Sequence, residues 1–233
     1  MWTTILVCVV LGATSVASVG CSESGSRNAA QERTDETSQE EPKGEAVIPG
    51  QQPLYTATYV PSGKEIAVLK TSKGTVKLRF FSDDAPNHSA CFIELAQKGY
   101  YDGVKFHRVI PDFVAQGGDP QTKEFASEEV ADIVARQSAG QYEPGEPMLG
   151  TGGPGYRIAA EFNARQHLEG TLAMARSSDP DSGGSQFYIC LAPQPALDGD
   201  YTVFGEVVEG MDVVKALVIG DEIESITIEK AIN

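Results

Sequence analysis

The stretch of the chain richest in chemistry runs Phe106-His107-Arg108-Val109-Ile110-Pro111-Asp112-Phe113-Val114-Ala115-Gln116-Gly117-Gly118-Asp119. If Phe106–Ile110 is a strand, Phe106, Arg108 and Ile110 share one face, because side chains alternate along it. A guanidinium between two apolar neighbours is awkward in a core but reasonable at the lip of an apolar site. It is permanently charged and holds several N–H donors in a fixed fork. Taken alone, such an arginine would more readily snorkel to the surface, so its meaning depends on its company. Covalent chemistry has little support. Gly183-Gly184-Ser185 is not a nucleophile elbow. Gly150-Thr151-Gly152-Gly153-Pro154-Gly155 lacks the Lys-Ser/Thr that would make it a phosphate loop. His88, His107 and His167 are scattered without ligand spacing, and there is no C-x-x-C pair for a metal.

The elements that must position these residues are short and β-rich. Ile66–Thr71 and Thr75–Phe80 are joined by Ser72-Lys73-Gly74, which reads as a hairpin. Asp84-Ala85-Pro86 opens a helix on which His88, Cys91, Phe92 and Leu95 recur at helical spacing, and Gly99 stops it. Further strands are expected at Phe106–Ile110, Phe113–Gln116, Thr171–Ala175, Ser185–Cys190, Thr202–Val208 and Ile223–Ile228, with a second short helix at Met211–Val218. Many short strands and two helices suggest a mainly β fold, a closed antiparallel barrel.

Four blocks now carry a resemblance: the Phe106–Asp119 stretch; Gly170-Thr171-Leu172-Ala173-Met174-Ala175-Arg176; Gly184-Ser185-Gln186-Phe187-Tyr188-Ile189-Cys190; and Leu197-Asp198-Gly199 followed by Val203-Phe204-Gly205. In this order they resemble the cyclophilin-type peptidyl-prolyl cis-trans isomerases, over about residues 66–230. The resemblance implies a closed eight-stranded antiparallel barrel capped by two helices. It also implies rotation about X–Pro bonds with no cofactor and no metal. Amide resonance makes that rotation slow, with a barrier of ~20 kcal/mol. Turning over at roughly 10³ s⁻¹ requires removing on the order of 7 kcal/mol. No bond breaks, so a donor to the prolyl nitrogen and an apolar pocket for the ring are enough. The resemblance makes Arg108 that donor and Gln116 its partner or a substrate ligand. Phe113, Val114, Tyr188 and Leu197 match the proline pocket, and Ala175 and Arg176 match positions that meet the backbone ahead of the proline. Gln186 lies two residues from Tyr188 and so faces the same way. Ile110 and Tyr201 complete the expected substrate surface. The rival class is a binding module that grips proline segments without useful turnover; the intact Arg108 argues for the enzyme.

The sequence departs from the family in places. Tyr188 replaces the common Phe, and its hydroxyl needs a partner or water. Ala196 and Tyr201 stand where many eukaryotic members carry Trp and His. An insertion spans 120–149, in which Ser127 could cap a helix bearing Val130, Ile133 and Val134. It is expected to border the substrate groove.

The remaining sequence concerns placement. Residues 5–11, ILVCVVL, are too short to span a bilayer with confidence and, with the small residues after them, look like a signal peptide over 1–20. The Gly20-Cys21 junction resembles a bacterial lipobox, making Cys21 the lipidated residue. Met1-Trp2-Thr3-Thr4 lacks the usual Lys or Arg, and Ser18 stands where Leu is usual, so ordinary cleavage or an uncleaved anchor are the alternatives. Residues 21–50 follow as an acidic tether too polar to pack, 51–65 as a lead-in segment, and 66–233 as the isomerase domain. A net charge of −15 disfavours nucleic acid as a partner. A hydrophobic share of 41% supports a core. The expectation is an exported, membrane-anchored monomer of the cell envelope or periplasm acting on proline-containing polypeptides. Cys91 and Cys190, flanked by apolar residues, read as two buried thiols, with one disulfide the alternative.

Overall fold

The structure is a computed structural model, and it describes residues 52–142 and 145–230. The expected leader, Cys21 and the tether lie outside the described residues.

Eight strands form one sheet: β1 (Glu65–Thr71), β2 (Gly74–Phe80), β3 (Arg108–Ile110), β4 (Val114–Gly117), β5 (Thr171–Met174), β6 (Phe187–Cys190), β7 (Val203–Glu209) and β8 (Ile223–Lys230). Their order is β3-β4-β6-β5-β7-β2-β1-β8, and every pairing is antiparallel. The hairpin read at Ser72-Lys73-Gly74 is present, with Thr71 opposite Gly74. Gly74 takes a φ of 140°, a value that costs glycine little.

Inside the curl sits α1 (Pro86–Gln97), with proline in its first turn and Gly99, at φ 66°, after its end. Pro86 has no N–H to leave unpaired there, and Gly99 takes the left-handed turn that ends the helix. Phe92 points from α1 into the centre, its ring 5.0 Å from Tyr101, 5.3 Å from Phe187 and 5.8 Å from Phe204. Leu69, Leu78, Phe106, Leu172, Ile189 and Ile223 close around it, all fully buried. Each such side chain contributes roughly 1.5–3 kcal/mol through burial.

Two expectations are corrected. The sheet is a curled half-barrel, not a closed barrel. Its end strands β3 and β8 do not pair; the chain before each meets instead, through a bridge between Lys105 and Glu222 and flanking bonds such as Ile223 N–H to Val104 O at 2.7 Å. That register places β3 opposite residues 217–219, in the turn after α3 (Met211–Lys215), and β8 opposite the end of α1, so no ladder can form. Three α-helices lie among the described residues: the two expected with the barrel and the one expected in the insertion, α2 (Ser127–Ser138), whose cap is the second correction. Ser127 does not cap it. The helix starts after Ala126, whose N–H donates to the Glu129 carboxylate at 2.8 Å. Val130, Ile133 and Leu149 form a small core of their own against Phe125, Val134 and Ile219.

Residues 52–64 form a strap held by α1, by the start of β1 and by the segment at Tyr156 and Arg157. Glu94 of α1 accepts from Thr58 N–H (2.8 Å), Thr58 Oγ1 (2.7 Å) and Tyr59 N–H (2.7 Å). Glu65 accepts from Tyr59 OH at 2.6 Å and from Ser62 Oγ at 2.7 Å. Burial pushes the Glu65 carboxyl up, but the hydrogen bonds from Ser62 and Tyr59 outweigh it and bring it from the ordinary 4.5 down to about 2. A carboxyl with a depressed folded pKa stabilises fully above its unfolded value and loses that contribution as pH falls. The expected result is a thermal midpoint that drops between pH 4.5 and about 2. In Glu65→Gln part of that drop should vanish, and the midpoint at neutral pH should be lower. Thermal melts of both proteins across that range check it.

Cys91 and Cys190 are buried and free. Burial pushes each thiol up to about 12, which keeps both protonated and unreactive.

Candidate active site

Directly opposed residues on paired strands point to the same side of a sheet. Arg108 on β3 faces Gln116 on β4, which faces Tyr188 on β6, which faces Ala173 on β5. The next row is Ile110, Val114 and Cys190. The intervening residues Ala115, Ile189 and Leu172 belong to the main core. The first set is therefore on the opposite, outer side, where Val114, Ala173, Tyr188, Cys190 and Val203 make a second, separate apolar cluster.

A pocket of about 110 Å³ opens on this cluster. Val114 and Tyr188, 1% and 4% exposed, are its floor. Half-buried Phe113, Leu197 and Tyr201 wall it, and Arg108, Gln116, Ala175 and Arg176 complete the rim. Leu197 is carried by a 3-10 turn, Pro195–Leu197. Two of the expected substrate residues stand apart. Ile110 is 39% exposed and does not line the pocket. Gln186 lines a neighbouring groove of about 310 Å³ that shares Gln116, Ala175 and Arg176 with the pocket. No described residue of the 120–149 insertion lines either cavity, but the insertion reaches the groove's border, where Gln121 Nε2 donates to the lining residue Thr151 Oγ1 at 3.3 Å. Its helix packs towards Ile219.

The rim is a chain of donors and acceptors. Arg108 Nη1 donates to Gln116 Oε1 at 3.4 Å, Gln116 Nε2 to Gln186 Oε1 at 3.0 Å, and Gln186 Nε2 to the Gly152 carbonyl at 2.9 Å. The guanidinium carbon of Arg108 lies 5.3 Å from the centre of the Phe113 ring. No carboxylate pairs with Arg108 among the described residues. Arg176 contrasts with it. Its Nε donates to Asp200 O at 2.8 Å, its Nη1 donates to Ser177 O at 2.9 Å, and its guanidinium covers Tyr201 at 4.7 Å. Arg176 therefore holds the rim together, while Arg108 keeps most of its fork free.

Behind the floor lies a connection the sequence did not show. Tyr188 OH is 3.0 Å from His167 Nε2, and His167 Nδ1 is 2.9 Å from Asp198 Oδ1. An ionised carboxylate only accepts. Nδ1 thus carries the proton, and Nε2 accepts from the Tyr188 hydroxyl. Hydrogen bonds from the His167 backbone and ring hold the Asp198 carboxyl below its usual range. The partner that Tyr188 needs is therefore a fully buried histidine tied to the loop that carries Leu197. Tyr188→Phe should keep the ring and the turnover within about threefold, while leaving His167 Nε2 unpaired at a cost of about 1–2 kcal/mol. Denaturant unfolding and turnover of the variant measure the two effects separately. Only Asp198 carried a signal in the sequence, through the Leu197-Asp198-Gly199 block. His167 is 31 positions away from it, with no motif to link them.

Comparisons with known proteins agree with this geometry. A model of the family described as cyclophilin type peptidyl-prolyl cis-trans isomerase matches residues 66–232. A peptidyl-prolyl cis-trans isomerase of Synechococcus elongatus is 45% identical over 164 residues, covering 70% of this chain and 94% of that protein. One from Helicobacter pylori is 38% identical over 170 residues, covering 71% and 88%. Among solved structures, a Cryptosporidium parvum cyclophilin type peptidyl-prolyl cis-trans isomerase superposes with a TM-score of 0.57 at 24% identity, over 72% of this chain and 98% of that one. A structure of the same parasite enzyme determined in the presence of the dipeptide Ala-Pro gives a TM-score of 0.54 at 25% identity, over 72% and 99%. The chain belongs to the cyclophilin-type peptidyl-prolyl cis-trans isomerase family. It is an enzyme that interconverts the cis and trans forms of peptide bonds preceding proline.

Proposed function

We propose that the small outer pocket takes the proline ring of an exported polypeptide and that Arg108 donates to the prolyl nitrogen as the bond twists. The observation that carries this is a guanidinium, held only by Gln116 and the Phe113 ring and without a carboxylate partner among the described residues, at the lip of a small apolar pocket. In the planar amide the nitrogen lone pair is delocalised, and twisting localises it. A donor aimed at that nitrogen therefore binds the twisted form better than either planar form, which is the condition for accelerating the step. Val114, Tyr188 and Phe113 hold the ring by apolar contact. Gln116 orients the guanidinium from one side and Phe113 from the other, which reduces the reorganisation needed. The preceding carbonyl swings over the open rim beside Ala175. No step requires a cofactor or metal.

We propose further that the chain is exported and tethered by lipid at Cys21, the acidic segment to residue 50 serving as a spacer for a monomeric enzyme. The support is the apolar run followed by Gly20-Cys21. No helix among the described residues is long and apolar enough to cross a membrane. The isomerase reading is tested by NMR exchange on an X–Pro peptide with the full chain, and absence of catalysed exchange rejects it. The anchor is tested by the intact mass of the mature protein. Acyl chains on Cys21, lost in Cys21→Ser with release from membranes, are expected; a mature form without acyl chains rejects it.

A further inference from the structure

We infer that the strap ahead of the family domain is a wall of the substrate groove, and that Gln52 selects among polypeptides by residues outside the X–Pro pair. The inference rests on the proposed placement of the proline in the adjoining pocket.

The match to the family begins at residue 66, yet Gln52 lines the larger groove, together with Thr151, Ser177, Ser182 and Gln186. Its position there is built, not incidental. Leu54 forms a parallel bridge with Arg157, and Ile158 forms an antiparallel one with Gly183. Tyr55 N–H donates to Arg157 O at 2.6 Å, Arg157 N–H to Pro53 O at 2.9 Å, and Ile158 N–H to Gly183 O at 2.7 Å. The strap is thus the outer rung of a three-segment ladder whose last member, at Gly183, adjoins the groove residues Ser182 and Gly184. Arg157 fixes the end of that rung: its Nε donates to the Gln52 carbonyl at 3.2 Å and its Nη1 pairs with Asp179 at 3.1 Å. Further along, Tyr55 stacks on Tyr156 at 5.2 Å, and Thr58 and Tyr59 are held by Glu94. The anchoring is done by residues beyond Gln52, half-buried Tyr55 and Tyr59 among them, which leaves Gln52 itself exposed, with its amide available to a ligand.

The chemistry of the wall defines what it recognises. The side chains of Gln52, Thr151, Ser177, Ser182 and Gln186 are uncharged donors and acceptors, suited to an extended backbone and short polar side chains. On that placement a capped Ala–Pro dipeptide occupies the small pocket, and a longer chain continues into the groove, since the two cavities adjoin at Gln116, Ala175 and Arg176.

The test compares two probes on the full chain: a capped Ala–Pro dipeptide, and a ten-residue peptide with serine and threonine flanking the same Ala–Pro bond. Turnover is followed by NMR exchange. Gln52→Ala is expected to leave dipeptide turnover within about twofold and to lower kcat/KM for the long peptide about three- to tenfold, through KM, as loss of one hydrogen bond does. Tyr55→Ala, which frees the strap while leaving Gln52 in the chain, should reproduce the length-dependent loss. Equal effects of Gln52→Ala on both probes, or none on the long one, overturn the inference while the isomerase reading stands. Absence of catalysed exchange on both probes in the unaltered protein removes the placement of the proline and the inference together.

Discussion

Arg108→Ala is expected to leave a folded protein whose turnover of proline peptides is lower on the order of 10²-fold or more, the scale of losing one preorganised electrostatic donor. The fold should survive because Arg108 contributes little to it. The side chain is exposed on a three-residue strand at the sheet edge, with one hydrogen bond of 3.4 Å and no ion pair among the described residues. Its contact with Phe113 is worth about 0.5–1 kcal/mol at an exposed site. The pocket floor does not depend on it either, since Val114 and Tyr188 are packed by Ala173, Cys190 and Val203. The variant therefore separates binding of the ring from rotation of the bond: KM should move little and kcat should fall. Arg108→Lys should recover only part of the rate, because an ammonium cannot both keep the bond to Gln116 and direct a fixed second donor at the substrate. Line-shape or exchange NMR on a peptide, with a thermal melt as the control for folding, measures all of this. Turnover near that of the unaltered protein in a folded Arg108→Ala variant would sink the proposed mechanism.

Much of this arrangement was legible because it follows from local pattern. β-rich runs between turn residues placed all eight strands, and the family resemblance put Gln116 beside Arg108. Pro86 and Gly99 bracket α1 because each does something at a helix end that other residues do poorly. What the pattern could not carry is contact between distant segments. Closure of the barrel depends on the register between residues 103–106 and 220–223, which are more than a hundred positions apart, and no periodicity encodes it. His167 meets Tyr188 and Asp198 across three separate segments. The strap showed no convincing period because Tyr55 and Tyr59 are placed by Tyr156, Glu65 and Glu94, not by a neighbouring face of their own. In the insertion, Val130, Ile133 and Val134 predicted the helix, but its start is set by the Glu129 carboxylate reaching back to Ala126, where a serine cap had been expected. The glycine-rich loop was recognised as no phosphate site, but its actual partner was out of view.

That partner is Asp119, and removing it should have the largest effect on stability. Asp119 is fully buried. Its Oδ1 accepts from Gln121 N–H at 2.8 Å, and its Oδ2 accepts from Gly150 N–H at 2.5 Å and Gly152 N–H at 3.2 Å. The loop's backbone amides thus cradle the protein's own carboxylate, the kind of anion site successive N–H groups make. The approach is so close that a Cβ on Gly152 would sit 2.1 Å from Asp119 Oδ1, which is why that position must be glycine. Asp119→Ala strands three donors, two of them on the loop, and is expected to cost about 3–5 kcal/mol, below the sum of three charged hydrogen bonds because water reaches part of the loop. Turnover should fall too, about tenfold, since the Gly152 carbonyl ends the chain of bonds that runs through Gln186 and Gln116 to Arg108, and small displacements of positioning groups are costly. Gly152→Ala should show a similar loss by pushing the same carboxylate out of place. The two changes remove one interaction, so their effects should not add: the double variant should be at least about 1 kcal/mol more stable than the sum of the single losses predicts. Denaturant unfolding of the four proteins completes the cycle. Strict additivity would show that Gly152 is glycine for a reason unconnected with Asp119.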